Sequence, residues 1–293
     1  MRFKNFFGPM LLDEIESPFN SPDYLFELKF DGLRATIHVG PNTLIIYSRR
    51  GVNITHLYPE LIAIKSLVKE NMIFDGEIVL FDKDKPNFSK LQERSHLKNK
   101  MKINHFSKEN PVCFIAFDCI YKNKSLIDLP LLERKNILSK IEDSEYFIKT
   151  KYVLNNGKEL FKKVKNKNLE GIVAKKINSI YQINTRSKDW IKIKNLKVEE
   201  FYIGGYYNEP KQAMIRAYLG EFRNDNFYFV GKVMIGKKNN IYKKIILETI
   251  QTKSSFKDYE DKKIKYIKPK LRCKIAYLER TKSNHLRQAV FKA

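Results

Sequence analysis

The stretch Phe26-Glu27-Leu28-Lys29-Phe30-Asp31-Gly32 decides how this chain is read. Strand alternation puts Glu27, Lys29 and Asp31 on one face and Phe26, Leu28 and Phe30 on the other. A lysine at the end of a half-buried strand, next to a glycine that lets the backbone turn, is well placed to be held rigidly in a pocket. Such an amine becomes a nucleophile when desolvation and nearby cations lower its pKa. Taken alone, Lys-x-Asp-Gly is a four-residue match that more often describes a surface lysine before a β-turn.

Four later stretches change that balance. They are Phe74-Asp75-Gly76-Glu77-Ile78-Val79, Phe114-Ile115-Ala116-Phe117-Asp118, Glu170-Gly171-Ile172-Val173-Ala174-Lys175 and Trp190-Ile191-Lys192-Ile193-Lys194. Each reads as a strand with polar residues at alternate positions. Lys192 and Lys194 share one face while Ile191 and Ile193 share the other, and Glu77 and Glu170 are each expected at a strand entrance. Two carboxylates, two lysines and a nucleophilic lysine in one cleft suit nucleotidyl transfer. The carboxylates would hold ribose and Mg²⁺, and the lysines would neutralise charge building on the α-phosphate.

The 293 residues suffice for one large domain or two ordinary ones, and 43% hydrophobic content supplies a core. Against 33 Asp and Glu stand 56 Lys and Arg, a net charge of +23 that favours a polyanionic partner through counterion release. Cys113, Cys119 and Cys273 form no C-x-x-C pair, which argues against a disulfide framework or structural zinc. With no apolar leader and no run near the ~20 residues of a membrane span, the expectation is a soluble protein of the reducing cytoplasm, with no membrane partner.

Helical patterning is expected at residues 59–69, at 129–141 with Asp128 as N-cap ahead of Pro130, and at 157–165. From about Glu199 the rhythm changes. Strands are expected at 201–207, 213–222, 227–235 and 273–278, with a helix near 241–252, which suits a small OB-type barrel. The expected fold is α+β, with domains at residues 1–198 and 199–293.

In order and wording, the five stretches resemble motifs I, III, IIIa, IV and V of the covalent nucleotidyltransferase superfamily: ATP-dependent DNA ligases, RNA ligases and capping enzymes. The surrounding wording is most similar to the ligase domain of bacterial end-joining (LigD-type) ligases. It includes Tyr47-Ser48-Arg49-Arg50-Gly51, Arg186-Ser187-Lys188-Asp189-Trp190, Phe201-Tyr202-Ile203-Gly204-Gly205-Tyr206 and Leu286-Arg287-Gln288-Ala289-Val290-Phe291. The resemblance implies an ATP-grasp-like nucleotidyltransferase domain of antiparallel sheets with helices, followed by an OB-fold. It implies an ATP-dependent DNA ligase that seals 3′-OH to 5′-phosphate in nicked duplex DNA. ATP and Mg²⁺ (or Mn²⁺) are the implied cofactors, with AMP carried covalently on Lys29.

By motif, Glu27 and the backbone at Leu28 would contact adenine, Arg34 and Glu77 the ribose, and Phe117 would stack on the base. Glu170 would bind the metal together with Glu77, Lys192 and Lys194 would contact the α-phosphate, and Arg186 would reach the same nucleotide pocket. Arg49 and Arg50 would approach the DNA. Arg287 would serve DNA and the β,γ-phosphates from a last motif that departs from the family: the Pro after Leu-Arg is replaced, and the usual Gly-Leu-Arg and Asp-Lys tail is absent. Slower self-adenylation, a chain that arrives already adenylated, or a truncated chain is the expectation from that departure. Trp190 is expected to pack between layers. The implied enzyme is a monomer that holds DNA with its own basic surface, alone or recruited by an end-binding protein such as Ku. An RNA-ligase or capping-type enzyme, and a degenerate nucleic-acid-binding relative, are the competing readings.

Overall fold

Long β-branched and aromatic runs dominate the chain and form its sheets. The computed structural model describes residues 2–209 and 213–292. By contacts the chain divides into two units, meeting at Asn195 and Leu196. In chain order the strands of the first unit are β1 (Leu11–Ile15), β2 (Ser21–Lys29), β3 (Leu33–Gly40), β4 (Thr43–Ser48), β5 (Met72–Asp82), β6 (Lys85–Pro86), β7 (Val112–Lys122), β8 (Lys124–Ser125), β9 (Phe147–Lys149), β10 (Tyr152–Asn155), β11 (Gly171–Lys176) and β12 (Arg186–Lys194). Its helices are α1 (Phe88–Ser95), α2 (Lys100–Glu109), α3 (Leu131–Ser139) and α4 (Gly157–Asn166).

Two sheets result. The first runs β1-β12-β11-β2-β10, antiparallel except for the parallel β1–β12 pair. The second runs β4-β3-β5-β7-β8, with β6 and β9 on its margins. Strands β5 and β7 are buried on both faces, so they read as nearly continuous apolar runs. On β5, Phe74, Ile78 and Leu80 enter one core with the helical residues Leu61, Ile64, Leu91 and Ile103. Ile73 points the other way, into a core with Met10, Leu25, Leu131, Tyr181 and Trp190 that joins the two sheets. The far face of the first sheet is closed by α4, where Val164 packs on Phe26, Ile172, Ala174 and Ile193.

Several expectations are corrected. The segment after Tyr58 is a 3₁₀ helix, Pro59–Leu67, not an α-helix. Helix α3 is capped at Pro130, whose carbonyl accepts from Glu133 and Arg134; Asp128 does not cap it. Proline suits that place because it has no N–H to leave unsatisfied. Helices α1 and α2 had no apolar period strong enough to announce them, and each is started by an asparagine, Asn87 and Asn99, accepting a backbone N–H.

The second unit holds β13 (Lys197–Asn208), β14 (Met214–Arg223), β15 (Asn226–Gly236), α5 (Asn240–Leu247), β16 (Ile250–Gln251), β17 (Lys265–Ile267), β18 (Arg272–Tyr277) and β19 (Val290–Lys292). The order is β15-β14-β13-β17-β16, with β18 also on β13 and β19 on β18; every pairing is antiparallel. This arrangement is consistent with an OB-fold. Its core gathers Ile203, Ile215, Leu219, Val230, Ile245 and Ile275. Among the described residues no helix is long and apolar enough to cross a membrane.

One buried ion pair ties α3 to the sheets. Arg134 Nε and Nη2 each donate to Asp118 at 2.9 Å, and Nη1 donates to the Ser179 carbonyl at 3.0 Å; both side chains are fully buried. Ser179 Oγ in turn accepts from Trp190 Nε1 at 3.3 Å. Arg134→Met leaves Asp118 charged and alone in the core, so urea denaturation should show a loss of roughly 3–5 kcal/mol. A loss below about 1 kcal/mol would contradict this role for the pair.

Candidate active site

The register of the first sheet lays charged residues in rows, because residues paired across neighbouring strands share a face. One row reads Glu27 (β2), Val173 (β11), Lys192 (β12), Glu14 (β1). The next reads Lys29, Gly171, Lys194. The row on the other side reads Leu25, Lys175, Trp190. Gly171 keeps the space between the two lysines open, and at φ +157 its added Cβ would lie 2.2 Å from the Ile193 carbonyl oxygen. At roughly 4.8 Å per strand, Lys29 and Lys194 stand about 10 Å apart at their backbones, close enough for both ammonium groups to reach one phosphate.

The second sheet contributes from β3, β5 and β7. Arg34 and Glu77 are register partners. Together with Glu27, Leu28, Lys29, Phe30, Phe117, Lys175 and Trp190 they line a cleft. Strand β2 stops at Lys29, so the expected alternation does not extend to Phe30, which is among the residues lining the cleft. Gly32 proves necessary for close approach: a Cβ there would sit 2.3 Å from the Ile78 carbonyl oxygen and 2.8 Å from Glu77 Cγ. Glu77 itself lies in the middle of β5, not at a strand entrance.

Lys29, Arg34 and Glu27 each have a partner. Lys29 Nζ is 2.8 Å from Glu170 Oε1. Arg34 grips Asp75 through Nε (3.1 Å) and Nη2 (2.8 Å), and Asp75 also accepts from the Tyr181 hydroxyl at 2.6 Å. Glu27 is bound by Lys135, by Lys175 at 2.7 Å and by the Thr150 hydroxyl at 2.9 Å. Lys175 also lies 4.2 Å from the Phe117 ring centre and 4.1 Å from that of Trp190. Trp190 therefore packs between layers and borders the cleft as well.

These surroundings set the protonation states. Burial alone would lower the Lys29 pKa, but the charges of Glu170 and then Glu77 override it and raise it. The expectation of a depressed lysine is thus corrected, for the plain reason that its neighbours are carboxylates. Burial pushes Glu77 up to about 8, with Lys29 and Arg34 opposing and Glu170 and Asp75 adding to the rise. Burial lowers Lys175 to about 8 against the pull of Glu27. Glu27, though buried, is held below the usual carboxylate range by Lys135 and Lys175.

Among the described residues no group of three or more His, Cys, Asp or Glu side chains is placed to hold a metal. The two carboxylates beside Lys29 nevertheless fit Mg²⁺, which is commonly bound by one or two carboxylates together with substrate phosphates. A cation would also oppose the burial that pushes Glu77 up to about 8.

Other expected residues lie outside the cleft lining. Lys192 and Lys194 share the sheet face and pair with Glu14. Arg186 begins β12, exposed, and donates to the Leu12 carbonyl. Arg49 and Arg50 are exposed in the turn after β4, where the Arg49 N–H donates to the Arg34 carbonyl at 3.1 Å. Arg287 lies in the second unit, where it pairs with Glu279. Sequence reasoning passed over Asp75 and Lys175, although both stand inside the quoted stretches. It had no signal for Lys135, Thr150, Tyr181 or Glu14, which reach the site only through folding.

Two family models match the chain. An ATP dependent DNA ligase domain covers residues 9–194, and an ATP dependent DNA ligase C terminal region covers residues 211–293. The chain is 37% identical over 204 residues to the SPbeta prophage-derived DNA ligase-like protein LigB of Bacillus subtilis, covering 69% of this chain and 72% of that one. It is 30% identical over 296 residues to the multifunctional non-homologous end joining protein LigD of Mycolicibacterium smegmatis, covering 96% of this chain but 37% of that one. It likewise spans less than half of DNA ligase 2 of Thermofilum pendens. In fold it is similar to a mycobacterial DNA ligase D complexed with ATP and MES, with TM-score 0.61, 24% identity and coverage of 97% and 93% of the two chains.

Because the Glu170 charge raises the Lys29 pKa, Glu170→Gln should lower the pH at which the amine becomes reactive. Labelling of Lys29 with an amine reagent across pH, read by peptide mass spectrometry, measures this. An unmoved midpoint would rule the effect out.

Proposed function

The chain belongs to the ATP-dependent DNA ligase family, and on that premise we propose that Lys29 carries AMP between ATP and a DNA nick. The observation that supports this is Lys29 itself: it lines the cleft, touches Glu170 and shares a sheet face with Lys192 and Lys194. In this reading adenine enters between Phe117 and the first sheet and meets Glu27 and the backbone at Leu28. Glu27, already fixed by two lysines and a hydroxyl, presents an acceptor suited to an exocyclic amine. Arg34 and Glu77 face the ribose, and Lys192 and Lys194 meet the α-phosphate.

In the first step Lys29 loses a proton, with Glu170 the nearest acceptor. The neutral amine attacks the α-phosphorus, a P–N bond forms, the bond to the β-phosphate oxygen breaks, and pyrophosphate leaves. AMP then passes to the 5′-phosphate of the nick, and the 3′-hydroxyl displaces it. Each step is in-line phosphoryl transfer, so alignment and charge neutralisation carry the catalysis. Mg²⁺, or Mn²⁺, held by Glu170 and Glu77 would add positive charge at the phosphates. The first unit performs this chemistry. Arg49 and Arg50, and in the second unit Arg287, serve the DNA. Likeness to LigD supports recruitment by an end-binding protein such as Ku, which co-purification with Ku would check.

Incubation with α-labelled ATP and Mg²⁺ should give an acid-labile protein–AMP adduct that is lost in Lys29→Ala and chased into sealed strands by nicked duplex. An undiminished adduct in Lys29→Ala would reject the role of Lys29, and sealing confined to RNA ends would favour an RNA ligase. The net charge of +23 leads to a second expectation. Nick affinity should fall steeply with salt, with a log–log slope of about −0.9 per phosphate neutralised, and a flat response would remove the basic surface from the account.

A further inference from the structure

Three lysines expected to face phosphate are already paired with carboxylates, yet the pairs differ in kind. Lys29 is held by Glu170, whose side chain is only 4% exposed and has nowhere to go. Lys192 and Lys194 are both held by Glu14, at 2.9 and 3.4 Å. In that group the lysines are the sequestered members, at 22% and 14% exposed, while the carboxylate is 42% exposed. Glu14 sits on β1, the edge strand of the first sheet, directly opposite Lys192 in the register. A carboxylate on an edge strand, half open to water, can swing out to solvent while the two lysines stay on their strand.

We propose that Glu14 is an internal stand-in for phosphate: it occupies Lys192 and Lys194 in the nucleotide-free chain, gives way to the entering nucleotide, and so sets the affinity for ATP. The inference rests on the reading that these lysines meet the α-phosphate. Two lysine side chains on alternate positions of β12 would repel one another with no anion between them. Glu14 supplies that anion and keeps both extended on one face. Because it carries the charge type of the ligand, it must compete with it. Removing its charge while keeping its shape should therefore strengthen binding of a polyphosphate and leave binding of the bare nucleoside untouched. A residue that merely stiffened the edge strand would weaken both.

The experiment uses the full chain in a Lys29→Ala background, so that ATP binds without reacting. Trp190, the one tryptophan of the sequence, lines the cleft and serves as a fluorescence reporter. Titrations with ATP and with adenosine are compared between Lys29→Ala and Lys29→Ala/Glu14→Gln, with Glu14→Asp as the charge-keeping control. Half-exposed pairs are individually weak, so the expected gain for ATP is roughly three- to tenfold in Kd, shrinking as salt rises. Adenosine affinity should not change, and Glu14→Asp should behave as the parent. Unchanged or weaker ATP binding in Glu14→Gln, or an equal shift for adenosine, overturns the role of Glu14 alone. Failure of the Lys29→Ala parent to bind ATP at all would overturn the ligase reading beneath it, and the inference with it.

Discussion

Charge enclosed between two β-sheets has to be paired, and that requirement organises the first unit. An isolated ion in such a setting would cost several kcal/mol, so each one is met by a partner from a different part of the chain. Glu27 is answered by Lys175 from β11 and Lys135 from α3. Arg34 from β3 is answered by Asp75 from β5, which also receives the hydroxyl of Tyr181. Arg134 from α3 is answered by Asp118 from β7. These pairs fasten helix to sheet and sheet to sheet while leaving a polar cleft between them. They are poor evidence of net stability, since apolar replacements of the same volume can do as well. What they provide is a set of charges that need not reorganise when a charged ligand arrives.

The same pairing sets the resting chemistry. Lys29 is kept as an ammonium by Glu170 and Glu77, so the ligand-free state is not a poised nucleophile. Glu77, buried among other acids, is pushed to about 8 and shares that crowding. In the proposed reading, a polyanion brought with a divalent cation would change both balances at once, the cation drawing on the carboxylates and the phosphates on the lysines. Activation of the amine would then coincide with arrival of its substrate. Membership of the ATP-dependent DNA ligases is consistent with this arrangement.

Much of the site was legible because strand periodicity is a local property. The alternation in Trp190-Ile191-Lys192-Ile193-Lys194 places both lysines on one face, and Ile193 is indeed buried against α4. Phe117 and Arg34 were reached through motif wording and do line the cleft. Less legible were features that depend on where a strand stops or what surrounds it. Strand β2 ends at Lys29, short of Phe30 and Asp31, and Glu77 fell in mid-strand because β5 continues through the motif on both sides. The direction of the Lys29 shift could not be read from composition, since it depends on which charges lie within a few ångströms.

By itself the sequence determined the strand-rich two-part organisation, the shared face of Glu27 and Lys29 and that of Lys192 and Lys194, and the family. These follow from period-two patterning and from wording that local chemistry constrains. Only the tertiary structure decided who pairs with whom. Lys135, Tyr181 and Glu14 reach Glu27, Asp75 and Lys192 across 108, 106 or more than 170 residues of chain. The physical reason is that burial makes pairing obligatory without specifying the partner, and the partner is whichever opposite charge the stacked sheets bring within reach.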